Sequence, residues 1–480
     1  MTSWVRYAGR LVLPLGLLAA ALVAWTVADR MGSVAHSESR AASGADAGPN
    51  VAAPVFSVRR VPEFAAGSSR DAAVALALDS LPGDPGGLSC AAVLVDGSPV
   101  LSVRGNQPLV PSYAQLFITA HAAIDVLGSD FRYETRVLAT DRPDDNGRIF
   151  DGIYVVGGGD PVLMTRNYAS SFRPQLDTRT SIEALAASMV EAGVVRIDGG
   201  VIAIERRYDD QRSLPGWPAT VAEDGLVGPL SALQLDDGFE VRAVANLGVA
   251  VPAEQPALHA ADGFAEELGA VDVQVFGTNR VLGAEEELPS LVPVASIMSP
   301  PFSEIVFQML AVNDASAAEL ILKELGVATA SEGSTQAGSR AVQQVVQNQG
   351  VSLTLPFRDG SGLDPIGGSS CSQLVAVADS IPDGHPTLEV LPAYGLPGVF
   401  DGLLADLEVE SDLRLVGGVE DDASGFVART VDPGARITIA SIINRPGGPS
   451  ATDLAYQEAL VELVDQLRSS TNFENLEPDN

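Results

Sequence analysis

Lysine is almost absent from this chain. Of its 29 basic residues in 480, one is lysine, Lys323, and 28 are arginine. A single lysine can serve one site at most. Cysteine (2) and histidine (4) are scarce too, and no CxxC or Cys/His cluster is present, so neither a metal nor any other cofactor is implied. Positive charge is far outweighed: the formal net charge is −33, which makes nucleic acid and anionic lipid surfaces repulsive partners. There is no GxSxG elbow for a Ser-His-Asp hydrolase and no GK[ST] phosphate loop. Long apolar runs are missing except at the N-terminus.

That exception organises the expected compartment. Arg6 and Arg10 precede an apolar run of 18 residues, Leu11 to Ala28, closed by Asp29-Arg30. Residues 1–30 read as a membrane anchor or a signal segment, with Ser33-Val34-Ala35 as the cleavage option. The basic flank puts the N-terminus inside, so the rest is extracytoplasmic, anchored or secreted. Residues 31–55 are rich in Ala, Ser, Gly and Pro and read as a flexible tether. In an exported chain a disulfide persists, so Cys90 and Cys371 are read as a bridge, the alternative being two buried thiols. The acidic tail, 471–480, reads as loose.

The central stretch is Leu109–Ile124, LVPSYAQLFITAHAAI. Two strand-like runs, Ala91–Val95 and Pro99–Val103, precede it across Asp96-Gly97-Ser98. Pro111 marks a helix start, and the following residues have the apolar spacing of a buried helix. Further on come Ile153–Pro161 (IYVVGGGDP), Ser299–Ile305 (SPPFSEI), Ala318–Gly326 (AELILKELG), Asp359–Leu363 (DGSGL), Leu391–Gly395 (LPAYG) and Arg414–Val419 (RLVGGV). The glycines of 157–159 indicate a tight turn. Gly425–Val431 and Arg436–Asn444 form an expected hairpin about Asp432-Pro433-Gly434, and Ala451–Leu467 an amphipathic closing helix.

Together these motifs resemble the type-4, low-molecular-mass penicillin-binding proteins, the D-alanyl-D-alanine carboxypeptidase/endopeptidase family of peptidoglycan metabolism. The resemblance implies an α/β fold, a β-lactamase/transpeptidase-like (penicillin-recognising) sandwich with an inserted smaller α+β region. The transpeptidase-like domain then spans 56–165 and 291–470, and the insertion 166–290. It also implies a serine nucleophile and a lysine base three residues later, a serine-x-asparagine motif, and a lysine-threonine-glycine strand. On this sequence those positions fall on Tyr113 and Leu116, on Asn313 and Ala315, and on Val416, Gly417 and Gly418.

The substitutions matter chemically. Acylation needs a hydroxyl nucleophile and a base on the same helical face. Tyr113 offers a bulky phenol, and Leu116 accepts no proton. One residue back, Ser112 restores a hydroxyl, but its partner at i+3 is Gln115, which is no base. Lys323 falls in an amphipathic pattern and is expected as a solvated surface lysine. His121 is expected to pack within its helix, while His36, His259 and His385 lie in loop-like regions. Asp359 and Ser361 read as a turn beside the pocket. Removing members of a catalytic unit costs orders of magnitude in rate. The expectation is therefore a catalytically silent family member that binds peptidoglycan stem peptides or a cell-wall protein. Two alternatives stay open: an active serine-type carboxypeptidase using Ser112, and a structural protein with a closed cleft.

Overall fold

The computed structural model describes residue 72 and residues 74–471, apart from 173–175, 177, 242–249, 354, 367, 397–403, 405–408 and 421. The expected export segment (1–30), the tether (31–55) and the tail from 472 lie outside the described residues. Among the described residues no helix is long and apolar enough to cross a membrane.

The strands of the two larger sheets are β1 (Ser89–Val95), β2 (Ser98–Val103), β3 (Glu134–Ala139), β4 (Ile153–Val156), β5 (Val201–Ile204), β6 (Arg280–Val281), β7 (Val292–Met298), β8 (Leu413–Glu420), β9 (Ala423–Thr430) and β10 (Ile437–Asn444). β1 and β2 are joined by Asp96-Gly97, both at positive φ (49° and 77°). That is the type I′ geometry whose twist suits a two-residue hairpin, so Ser98 already belongs to the strand. The first sheet runs β8-β9-β10-β1-β2, antiparallel throughout. The second is mixed, in the order β6-β5-β4-β3-β7, and joins strands from within 166–290 to strands on either side of that segment.

Alternation along the first sheet places two cores on its two faces. Leu415, Phe426 and Ile439 belong to one cluster with Tyr456, Leu460 and Val464 of the closing helix, Ala451–Thr471. Their neighbours Val416, Val427 and Ala440 belong to the other, with the central helices α1 (Leu116–Leu127) and α2 (Ala315–Ala330). Successive side chains point to opposite faces, so a strand buried along its whole length needs a layer on each side.

α1 is buried from Leu116 through Ile124, as a helix apolar all round must be. Its neighbour α2 is buried from Ala315 through Gly326. A disulfide between Cys90 and Cys371 ties β1 to the helix Cys371–Ser380 across a sequence separation of 281.

Candidate functional site

The chain enters α1 through a 3-10 turn, Ser112–Gln115, rather than an α-helical turn starting at Pro111. Ser112 has φ 51°, a left-handed angle that side chains other than glycine adopt at a cost of about 1–3 kcal/mol. Its hydroxyl is buried and makes no hydrogen bond among the described residues. Ser112 lines a cavity of about 660 Å³ together with Leu109, Val110, Leu226, Leu363 and Asn444. The Asn444 amide is already committed to both backbone groups of Val110, at 2.8 and 2.9 Å.

Tyr113 looks the other way, onto the edge strand β8. A Cβ placed on Gly418 would stand 2.6 Å from Tyr113 Cδ2 and 2.7 Å from Asn313 Nδ2, so only glycine lets strand, ring and amide meet here. Asn313 turns the chain into α2 at φ 54° and donates from Nδ2 to the Gly417 carbonyl, 3.2 Å. The Tyr113 ring is 8% exposed. Tyr113, Asn313, Gly417 and Gly418 therefore converge on one spot. Leu116, Ala315 and Val416 are buried beneath it in the same apolar cluster as Tyr113. Asp314 caps α2 by accepting from Ala317 N at 2.9 Å.

Lys323 differs from the sequence expectation. It is 1% exposed and forms an ion pair with Asp209. The amphipathic pattern was read as having one wet face, but α2 is packed on every side through Gly326, so its lysine is buried against a carboxylate. It stands eight residues beyond Ala315, about 12 Å along the helix axis. His121 is packed as expected: Nδ1 meets Thr387 Oγ1 at 3.0 Å, and Nε2 meets Gln349 Oε1 at 2.9 Å. Burial holds its pKa below the usual histidine value.

A second cluster lies one residue beyond Ala114 on the same turn. Gln115 Nε2 donates to Asp359 Oδ1 and to the Asp359 carbonyl, both at 2.7 Å. Asp359 also accepts from Gly362 N (3.1 Å), Asp364 N (2.7 Å) and Trp217 Nε1 (3.0 Å). Glu319, inside α2, accepts on Oε1 from Gly360 N (2.9 Å), Ser361 N (2.8 Å) and Ser361 Oγ (2.7 Å). Thr119 Oγ1 adds a bond to the Gly360 carbonyl, 2.6 Å.

Four donors satisfy the Asp359 carboxylate, whereas Glu319 Oε2 has no partner among the described residues. The proton of this pair belongs on Glu319. Burial, reinforced by the charge of Asp359, pushes Glu319 up to about 8. The DGSGL segment is thus a turn, as its residues suggested, and a clamp on two helices as well. Gln115, Trp217 and Glu319 were not singled out from the sequence for this. The available signal was Glu319 at the head of the apolar run Leu320–Leu322, and Asp359 at the head of the glycine-rich DGSGL turn.

The profile of the D-Ala-D-Ala carboxypeptidase 3 (S13) family matches residues 70–250 and 240–414, more than half of the chain. A D-alanyl-D-alanine carboxypeptidase of an Actinomadura strain is 24% identical over 466 residues, covering 80% of this chain and 82% of that protein. A carboxypeptidase of Mycobacterium tuberculosis is 25% identical over 369 residues, 72% of each. Among solved structures, penicillin binding protein 4 of Haemophilus influenzae superposes with a TM-score of 0.65 at 17% identity, over 82% of this chain and 99% of that one. That likeness shows the penicillin-recognising fold.

Proposed function

We propose, from the premise that this chain belongs to the D-Ala-D-Ala carboxypeptidase 3 (S13) family of serine-type cell-wall hydrolases, that it is a catalytically silent member. In this reading it holds peptidoglycan stem peptides, or a wall protein, without cleaving them. The observation that carries it is the Tyr113 ring packed against Gly418 and Asn313, with Leu116 buried; the resemblance puts a nucleophile and a base at positions 113 and 116. Leu116 accepts no proton, and the one lysine of the chain, Lys323, is tied to Asp209. A phenol has an ordinary pKa of about 10 and needs such a base to attack at neutral pH. The disulfide supports an extracytoplasmic location, since such bonds persist in oxidising compartments.

The full-length protein incubated with a fluorescent penicillin is expected to give no covalent band. It is also expected to release no D-alanine from a pentapeptide, while muropeptides raise its melting temperature. A band that disappears in Ser112→Ala would transfer the function to the active reading, in which Ser112 attacks from the adjacent cavity. That second reading is favoured only by the buried, unbonded Ser112 hydroxyl. Absence of any muropeptide shift would favour the closed-cleft alternative.

A further inference from the structure

Arginine gathers at one point away from the Tyr113 corner. A pocket of about 390 Å³ opens at the carboxyl ends of the parallel strands β4 and β5, beside the start of β3. Arg132, Arg136, Arg206 and Arg207 all line it, against a single acidic residue, Glu134. The chain has 62 acidic residues to 29 basic, so four arginines around one cavity run against its overall balance. Like charges crowded in a concavity repel, and an anion between them relieves that. The carboxyl ends of strands in open α/β sheets are where ligands of such folds bind. The volume falls within the range of small-ligand pockets, about 300–1,000 Å³.

The four guanidinium groups are not equally committed. Arg207 is paired with Glu324 through bonds of 2.8 and 2.5 Å. Arg206 donates to the backbone carbonyls of Gly283 and Glu286. Arg132 gives one Nη1 bond to the Ser299 carbonyl, 2.6 Å, leaving the rest of its fork. The Arg136 side chain is exposed and makes no hydrogen bond or ion pair among the described residues. Tyr133, also in the lining, is 1% exposed, and its hydroxyl is unbonded among the described residues.

We infer that this pocket binds a phosphate-bearing ligand, with Arg132 and Arg136 as its principal contacts. The guanidinium forks of Arg132, just before β3, and Arg136, on β3, with Arg206 and Arg207 also in the lining, suit a tetrahedral anion that presents several oxygens at once. A carboxylate presents two.

Calorimetric titration of the full-length protein with inorganic pyrophosphate, polyglycerol phosphate and, for contrast, citrate tests this. Saturable binding of a phosphate probe is expected, weakening with added salt. It should fall about tenfold in Arg136→Ala, because a charge-assisted contact is lost, and stay unchanged in Arg340→Ala, which does not line the pocket. Tighter binding of pyrophosphate assigns the site to a small phosphate, and tighter binding of the polymer to a phosphodiester chain. No saturable phosphate binding, equal affinity in the two variants, or citrate binding as tightly as either phosphate probe would overturn the inference. None of these residues meets the Tyr113 corner, so the outcome is independent of whether the protein is silent.

Discussion

Tyr113 and Gln115 stand two residues apart on one 3-10 turn, and their surroundings could hardly differ more. Tyr113 is packed on a glycine of the edge strand, with an apolar floor of Leu116, Ala315 and Val416. Gln115 reaches into a cluster in which nearly every polar atom is bonded: Asp359 accepts from four groups and Glu319 from three. The lesson is that the framework and the chemistry of such a site are separable. The Glu319–DGSGL clamp does structural work: it ties α2 to the loop, and Gln115 ties the loop to the nucleophile turn. None of these bonds involves the side chain at position 113.

The widest gap between the two corners is in stability. Glu319→Ala orphans three buried donors, at about 1–3 kcal/mol each, and is expected to cost about 4 kcal/mol in denaturant melts. A loss below about 1 kcal/mol would mean that the clamp is incidental. Replacing Cys90 and Cys371 by serine should cost about 3 kcal/mol, since the bond closes a loop of 281 residues next to the same clamp. Melts with and without reductant check that value. Tyr113→Ala removes a ring at the margin of the core and should cost about 2 kcal/mol, less than a central aromatic. It should also enlarge the muropeptide heat shift without producing a penicillin adduct. An adduct in that variant would place a nucleophile where the comparison allows none.

How far the sequence made these corners legible depended on the range of the interactions. The Asp96-Gly97 hairpin was readable because two adjacent residues decide it. The meeting of Tyr113, Asn313 and Gly418 was readable because three motifs, each matched by spacing, belong to one site in the family they resemble. Lys323 was misread because periodicity reports which face of a helix is apolar, not whether the other face is covered. Asp209, its partner, comes from a loop more than a hundred residues earlier. The Glu319–Gly360 bond spans 41 positions, and the four arginines around the second pocket come as two pairs from two segments, 132–136 and 206–207. No local pattern encodes either arrangement.

The smallest effect separates the corners by titration. Glu319 in the native state is raised to about 8, against 4.5 for a free glutamate. Between those values the folded protein holds a proton that the unfolded chain has released. The contribution is therefore complete below about pH 4.5 and is lost as pH rises through about 8, the reverse of the usual salt-bridged carboxylate. Each pH unit inside that window can remove up to about 1.4 kcal/mol, and compensation elsewhere in a chain this acidic should leave about 1 kcal/mol between pH 6 and pH 7. Burial raises the Asp359 carboxyl too, against the pull of its donors, and its charge is the neighbour that makes a second charge on Glu319 unfavourable. Glu319→Gln keeps an acceptor for the Gly360 and Ser361 donors and has no proton to lose, so its melts should lack this component, while Tyr113→Ala should keep it. If the pH dependence survived in Glu319→Gln, the proton would have been assigned to the wrong carboxyl, and the polar corner would have to be rebuilt around Asp359.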